Sequence, residues 1–245
     1  MKLTGERVLV TGGARRLGRA AALAFAEEGA QLLIHYHDAA AEAEETIQRI
    51  EKGGGRAFSY QADLGVEGEG EALFRRLETD RRLPTILINS ASLYRRNTWK
   101  TVERKDVERD AALTAWAPFE LSRSFASRVQ EGCIINILDA RMVDYDAQHL
   151  SYHLAKRDLF TLTRILALEL APKIRVNGVA PGIVLPPEST AEKQRTAFRE
   201  ATLLQRMGSP EDVTRALIFL AESPFITGEV LFVDGGRQLR GRVYG

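Results

Sequence analysis

Apolar and polar positions along the chain recur in two textures. Short β-type runs lie at 6–11, 31–36, 56–62, 85–90, 133–139, 173–180 and 230–234. Between them run longer segments rich in Ala, Glu and Arg with apolar residues at helical spacing, such as 15–28, 39–51 and 151–170. This alternation predicts an α/β, doubly wound parallel sheet of about seven strands with helices on both faces. The early helices stop at Gly29, at Lys52-Gly53-Gly54-Gly55 and at Arg81-Arg82-Leu83-Pro84. No interior linker marks a boundary, so 1–245 is expected to be a single domain. The irregular stretch of about 183–205, with Pro186-Pro187 and the charged AEKQRTAFRE, is expected to be a lid or binding loop.

Composition narrows the class. Of 245 residues 44% are apolar, enough for one substantial core. Lys plus Arg (34) nearly balance Asp plus Glu (33), which argues against nucleic acid as a partner. The one cysteine, Cys133, lies inside an apolar strand run and reads as a small buried residue. No run approaches transmembrane length and MKLTGERVLV carries no apolar signal region, so a soluble, cytoplasmic protein without a membrane partner is expected. The four histidines show no metal-ligand spacing, and no metal is expected.

Candidate chemistry begins at Thr11-Gly12-Gly13-Ala14-Arg15-Arg16-Leu17-Gly18, directly after the first strand. A Gly-rich turn into a helix N-terminus can cradle a pyrophosphate on backbone N–H groups, as in Rossmann-type dinucleotide sites. Gly12 and Gly18 permit the tight turn, and Arg15 and Arg16 supply charge for phosphate oxygens. The second strand ends in His35-Tyr36-His37, with no acid where an NAD-selective site holds the ribose, which favours NADPH. Asp38, two residues on, is the contrary charge, and His37 is a candidate donor to a 2′-phosphate. Tyr152 and Lys156 stand at i and i+4 on one predicted helix, where an ammonium would lower the phenol pKa and suit it to acid–base work.

These pieces together resemble the short-chain dehydrogenase/reductase family over essentially the whole length. Matching segments are Thr11-Gly12 to Gly18, Ala62-Asp63-Leu64, Asn89-Ser90-Ala91-Ser92, Tyr152 with Lys156, Pro181-Gly182, Ile226-Thr227-Gly228 and Val233-Asp234-Gly235-Gly236. The resemblance implies that Leu17, Asp63, Leu64, Asn89 to Ser92, Pro181, Gly182 and Ile183 line the cofactor. It also implies that Lys156 holds the nicotinamide ribose and that the chain forms a homotetramer. Two positions depart from the usual pattern: Asp139 stands where a serine is common, and Thr114 where an asparagine is. A carboxylate opposes the negative charge that builds on a reduced carbonyl oxygen, whereas it favours protonation of a ring nitrogen. Asp139 therefore points to a C=N acceptor; a solvent-facing Asp or a non-catalytic site are the other readings.

Within the family, the combination is similar to pteridine reductases and the dihydromonapterin or dihydrofolate reductases of the short-chain type. It rests on Arg16 in the loop, the His35-Tyr36-His37 ending, Asp139, and an apolar loop after Pro181-Gly182. That likeness implies a pterin-like substrate touching Arg16, Ser92, Tyr94, Asp139, Tyr152, Leu185 and Pro187, with Asp139, Tyr152 and Lys156 catalytic. Tyr94 would stack on the ring, or pack ordinarily. Rival expectations are a carbonyl reductase or alcohol dehydrogenase of the same family, and an NADP-binding protein without catalysis.

Overall fold

A computed structural model describes residues 3–186 and 191–239 of the chain. The seven apolar runs are strands: β1 (Arg7–Val10), β2 (Gln31–Tyr36), β3 (Arg56–Gln61), β4 (Ile86–Asn89), β5 (Gly132–Ile137), β6 (Ile174–Pro181) and β7 (Val230–Val233). They form one parallel sheet in the order β3-β2-β1-β4-β5-β6-β7. The order reverses between β1 and β4, and the crevice at the carboxyl ends of these two strands is where ligands bind in such sheets.

The helices in chain order are α1 (Arg16–Glu27), α2 (Ala40–Lys52), α3 (Glu69–Thr79), α4 (Arg104–Ala111), α5 (Ala117–Ala126), α6 (Leu150–Leu170), α7 (Glu192–Glu200) and α8 (Pro210–Glu222). Alternation along each strand sends successive side chains to opposite faces, so β1 feeds two cores. Val8 and Val10 pack with Phe25, Ile47 and Leu217 of α1, α2 and α8. Leu9 packs with Phe74, Phe125 and Leu166 of α3, α5 and α6. Cys133 is buried, and burial pushes its thiol up to about 11. Among the described residues no helix is long and apolar enough to cross a membrane.

Two local departures matter for the site. The fifth strand ends at Ile137 rather than 139, because Asp139 leaves the sheet and caps a 3₁₀ turn, Ala140–Val143, by accepting the Arg141 N–H at 2.7 Å. α4 runs into α5 through a π-helical turn, Ala112–Trp116. Pro118 has no N–H to close on the Thr114 carbonyl, which accounts for the widened turn there. The stretch of about 183–205 is not wholly irregular, since it contains α7.

Candidate active site

The Gly-rich loop is built so tightly that its glycines are obligatory. A Cβ on Gly18 would stand 2.2 Å from the Gly12 carbonyl oxygen, and Gly12, at φ +63°, would set a Cβ 3.1 Å from the Ala91 Cα. Thr11, buried below, accepts the Ser90 and Ala91 N–H groups at 2.9 and 3.0 Å and so clamps the loop after β4 to the loop after β1. Leu17 packs into the core. Arg16 holds the left-handed conformation, φ +50°, and its guanidinium donates to the Leu185 carbonyl on the segment after β6. The two sides of the crevice meet through this contact.

His35 is placed differently from expectation. Its ring is buried; Nδ1 accepts the Gly12 N–H at 3.1 Å and Nε2 donates to the Ala62 carbonyl at 3.1 Å. Burial pulls its pKa down to about 4, so it is a neutral fastener beneath the loop rather than a side chain facing a cofactor. Asn89 is likewise buried, donating to Asn136 Oδ1 at 2.8 Å; Asn136 in turn donates to Thr163 Oγ1 at 2.9 Å. Leu64 is a core residue, whereas Ser92 is exposed.

At the end of β2, Arg15 pairs with Glu42 at 2.6 Å and with Asp38 at 3.7 Å, so the contrary charge of Asp38 faces a cation. His37 Nδ1 lies 3.4 Å from Asp63 Oδ1, which also accepts the Gly65 N–H at 3.0 Å. Tyr36 itself carries no charge, and no acid stands on β2. A loop with no room for a side chain at Gly12 or Gly18, opening a helix whose first turn lacks acids and begins at Arg15 and Arg16, fits the pyrophosphate of a dinucleotide. At the far side, Pro181 closes β6, and a Cβ on Gly182 would fall 2.7 Å from the Asp234 Cα. Ile183 accepts the Gly208 N–H at 3.1 Å. Pro187 lies outside the described residues.

The predicted catalytic residues come together. Asp139 Oδ2 accepts the Tyr152 hydroxyl at 2.9 Å, so this Asp does not simply face solvent. Lys156, buried on the next turn of α6, has its Nζ 5.7 Å from the centre of the Tyr152 ring and donates to the Ile137 carbonyl at 2.6 Å. The expected depression of the Tyr152 pKa is reversed: burial, then the Asp139 charge and hydrogen bond, raise the phenol well above its ordinary value. Burial lowers Lys156 to about 8, with Asp139 pulling the other way. Thr114 is buried on the π turn, its hydroxyl without a hydrogen-bond partner among the described residues.

Beside Tyr94 and His149 stand Arg141 and Asp146, which were not singled out from the sequence. Tyr94 stacks on His149 with ring centroids 4.1 Å apart and stands edge-to-face with Tyr152 at 4.9 Å. His149 Nδ1 is 2.8 Å from Asp146 Oδ2, and Arg141 reaches the same oxygen at 2.6 Å. The Asp146 to His149 spacing just before the catalytic helix was the available signal. Behind them, Asn97 donates to Ser151 Oγ at 2.6 Å and Ser151 donates to the buried Asp110.

Residues 12–238 match the family described as enoyl-(acyl carrier protein) reductase. The chain is similar to the promiscuous reductase LugOII, which catalyses keto-reduction at C1 during lugdunomycin biosynthesis: 33% identity, TM-score 0.91, 97% of this chain and 100% of that one. It is similar to FolM alternative dihydrofolate reductase 1 from Brucella canis, solved with NADP: 32% identity, TM-score 0.91, 99% and 98% covered. Pteridine reductase 1 of Leishmania tarentolae is 33% identical over 285 residues, covering 96% of this chain and 97% of that protein. With its seven-stranded parallel sheet and its Tyr152–Lys156 pair, the chain belongs to the short-chain dehydrogenase/reductase family and is an NAD(P)-dependent oxidoreductase.

Proposed function

We infer that the protein is an NADPH-dependent reductase of a ring C=N in a flat, pterin- or folate-like heterocycle. The observation that carries this is the Asp139 carboxylate holding the Tyr152 hydroxyl at 2.9 Å. A carbonyl oxygen would have to compete with a carboxylate for the phenol proton while its own negative charge grew beside that carboxylate. A ring nitrogen gains from Asp139, which stabilises its protonated form, and hydride arrival at the neighbouring carbon makes that nitrogen basic enough to take the Tyr152 proton against the raised pKa of the phenol.

When bound, NADPH would supply a hydride for the ring carbon adjacent to that nitrogen. In this reading Lys156 would hold the nicotinamide ribose, and Arg15, Arg16 and His37 would meet the phosphates. Tyr94 and Ser92 border the substrate, and Leu185, on the described part of the segment after β6, faces it from the other side of the crevice. The likeness to pteridine reductase 1 and to FolM alternative dihydrofolate reductase 1, the latter with NADP, supports the same class. The likeness to LugOII, which catalyses a keto-reduction, favours a second reading, reduction of a ketone. The test is NADPH oxidation with dihydrobiopterin and dihydrofolate beside a panel of ketones. Turnover of the pterins supports the first reading, and turnover of ketones alone overturns it.

A further inference from the structure

We propose that His149 is a substrate-recognition residue, completing with Tyr94 a two-ring wall against which a flat ring substrate packs. This rests on the reading that the substrate reacts beside Tyr152. The two rings lie 17° from parallel with centroids 4.1 Å apart, and the Tyr94 ring stands at 87° to Tyr152. Even so, Tyr94 remains 59% exposed, so its ring still offers surface to a ligand.

The wall is held from behind. His149 Nδ1–H donates to Asp146, which is only 8% exposed and also takes the Gln148 N–H at 2.8 Å and the Arg141 guanidinium. Burial opposes ionisation of Asp146, but these three donors outweigh it and hold the carboxyl below its usual range. Arg141 donates its backbone N–H to Asp139, and Asp139 accepts the Tyr152 hydroxyl. The contacts thus close a ring: Tyr152, Asp139, Arg141, Asp146, His149, Tyr94, and back to Tyr152. The backbone closes it a second time, with the Asn97 N–H on the Gln148 carbonyl at 2.8 Å and the Leu150 N–H on the Asn97 carbonyl at 3.3 Å.

An aromatic plane fixed in this way meets a flat ligand without first having to be ordered, and stacking adds to the area buried. His149 touches neither Asp139 nor Lys156 in any hydrogen bond, so its loss is expected in substrate KM rather than in kcat. The experiment is steady-state kinetics of the full chain with NADPH and a flat substrate that turns over, dihydropterin or fused-ring ketone. His149→Leu and His149→Ala should raise KM for that substrate roughly 5- to 10-fold, with kcat and the KM for NADPH changed less than about twofold. His149→Phe, which keeps the ring, should restore KM to within about threefold of the parent, and Asp146→Asn should fall between. An unchanged KM in His149→Leu, or a His149→Phe as impaired as His149→Leu, overturns the proposal. If His149→Ala fails to fold, the comparison of Leu with Phe decides. Because either substrate class serves, loss of the pterin reading leaves this test intact.

Discussion

Replacing Asp139 by serine removes one negative charge from the reacting end of Tyr152 while keeping an oxygen able to cap the turn at Arg141. The carboxylate oxygen is 2.9 Å from the phenol oxygen, so an atom receiving the phenol proton lies about 4 Å from the charge. Two unit charges at that distance interact by about 4 kcal/mol at an effective dielectric of about 20. Asp139 is only partly buried, and solvent screening reduces this to about 2 kcal/mol. That corresponds to roughly 30-fold in kcat/KM. The sign differs between substrates: a protonating ring nitrogen loses the factor, and a ketone, whose oxygen becomes negative, gains up to the same amount. Measured at pH 7 with saturating NADPH, the ratio of pterin to ketone kcat/KM should fall by roughly two to three orders of magnitude, with Tm and the KM for NADPH nearly unchanged. A ratio unaltered by Asp139→Ser would refute the argument, whatever happened to the absolute rates.

Arg16→Gly should relieve the left-handed strain at φ +50°, about 1 kcal/mol, and give back a similar amount in chain entropy, leaving Tm within a few degrees. It should nevertheless raise the KM for NADPH roughly 10-fold through loss of a charged phosphate contact, and raise the substrate KM too; unchanged values for both would leave Arg16 a surface residue. Lys156, lowered to about 8, loses its proton as pH rises through that value, so activity should decline there. Asp139 pulls this pKa upward, so Asp139→Ser should move the decline to lower pH, read from kcat/KM against pH. Between about pH 8 and 10.5 the folded chain binds fewer protons at this lysine than the unfolded chain, so stability from this group rises across the window while activity falls. A thermal melt over the same range separates that decline from unfolding.

What the amino-acid sequence determined by itself is local. Runs such as Val8-Leu9-Val10 and Cys133-Ile134-Ile135 carry no polar side chain to satisfy and so lie in the buried middle of a parallel sheet. Gly12 and Gly18 announce a turn that no side chain fits, and the i, i+4 spacing puts Tyr152 and Lys156 on one face of α6. Only the tertiary structure decided the charge and partners of these groups. Asp139 lies 13 residues from Tyr152, and its approach across the loop after β5 sets the phenol pKa above its ordinary value, the reverse of what the Tyr–Lys spacing suggests. His35 reads as a cofactor neighbour along the strand, yet closing the sheet buries it under Gly12 and leaves it neutral. The Tyr94–His149 stack and the Arg16–Leu185 contact join segments 55 and 169 residues apart. Periodicity and turn chemistry act over a few residues and are written in composition, whereas desolvation and pairwise electrostatics depend on which distant groups the fold brings into one low-dielectric crevice.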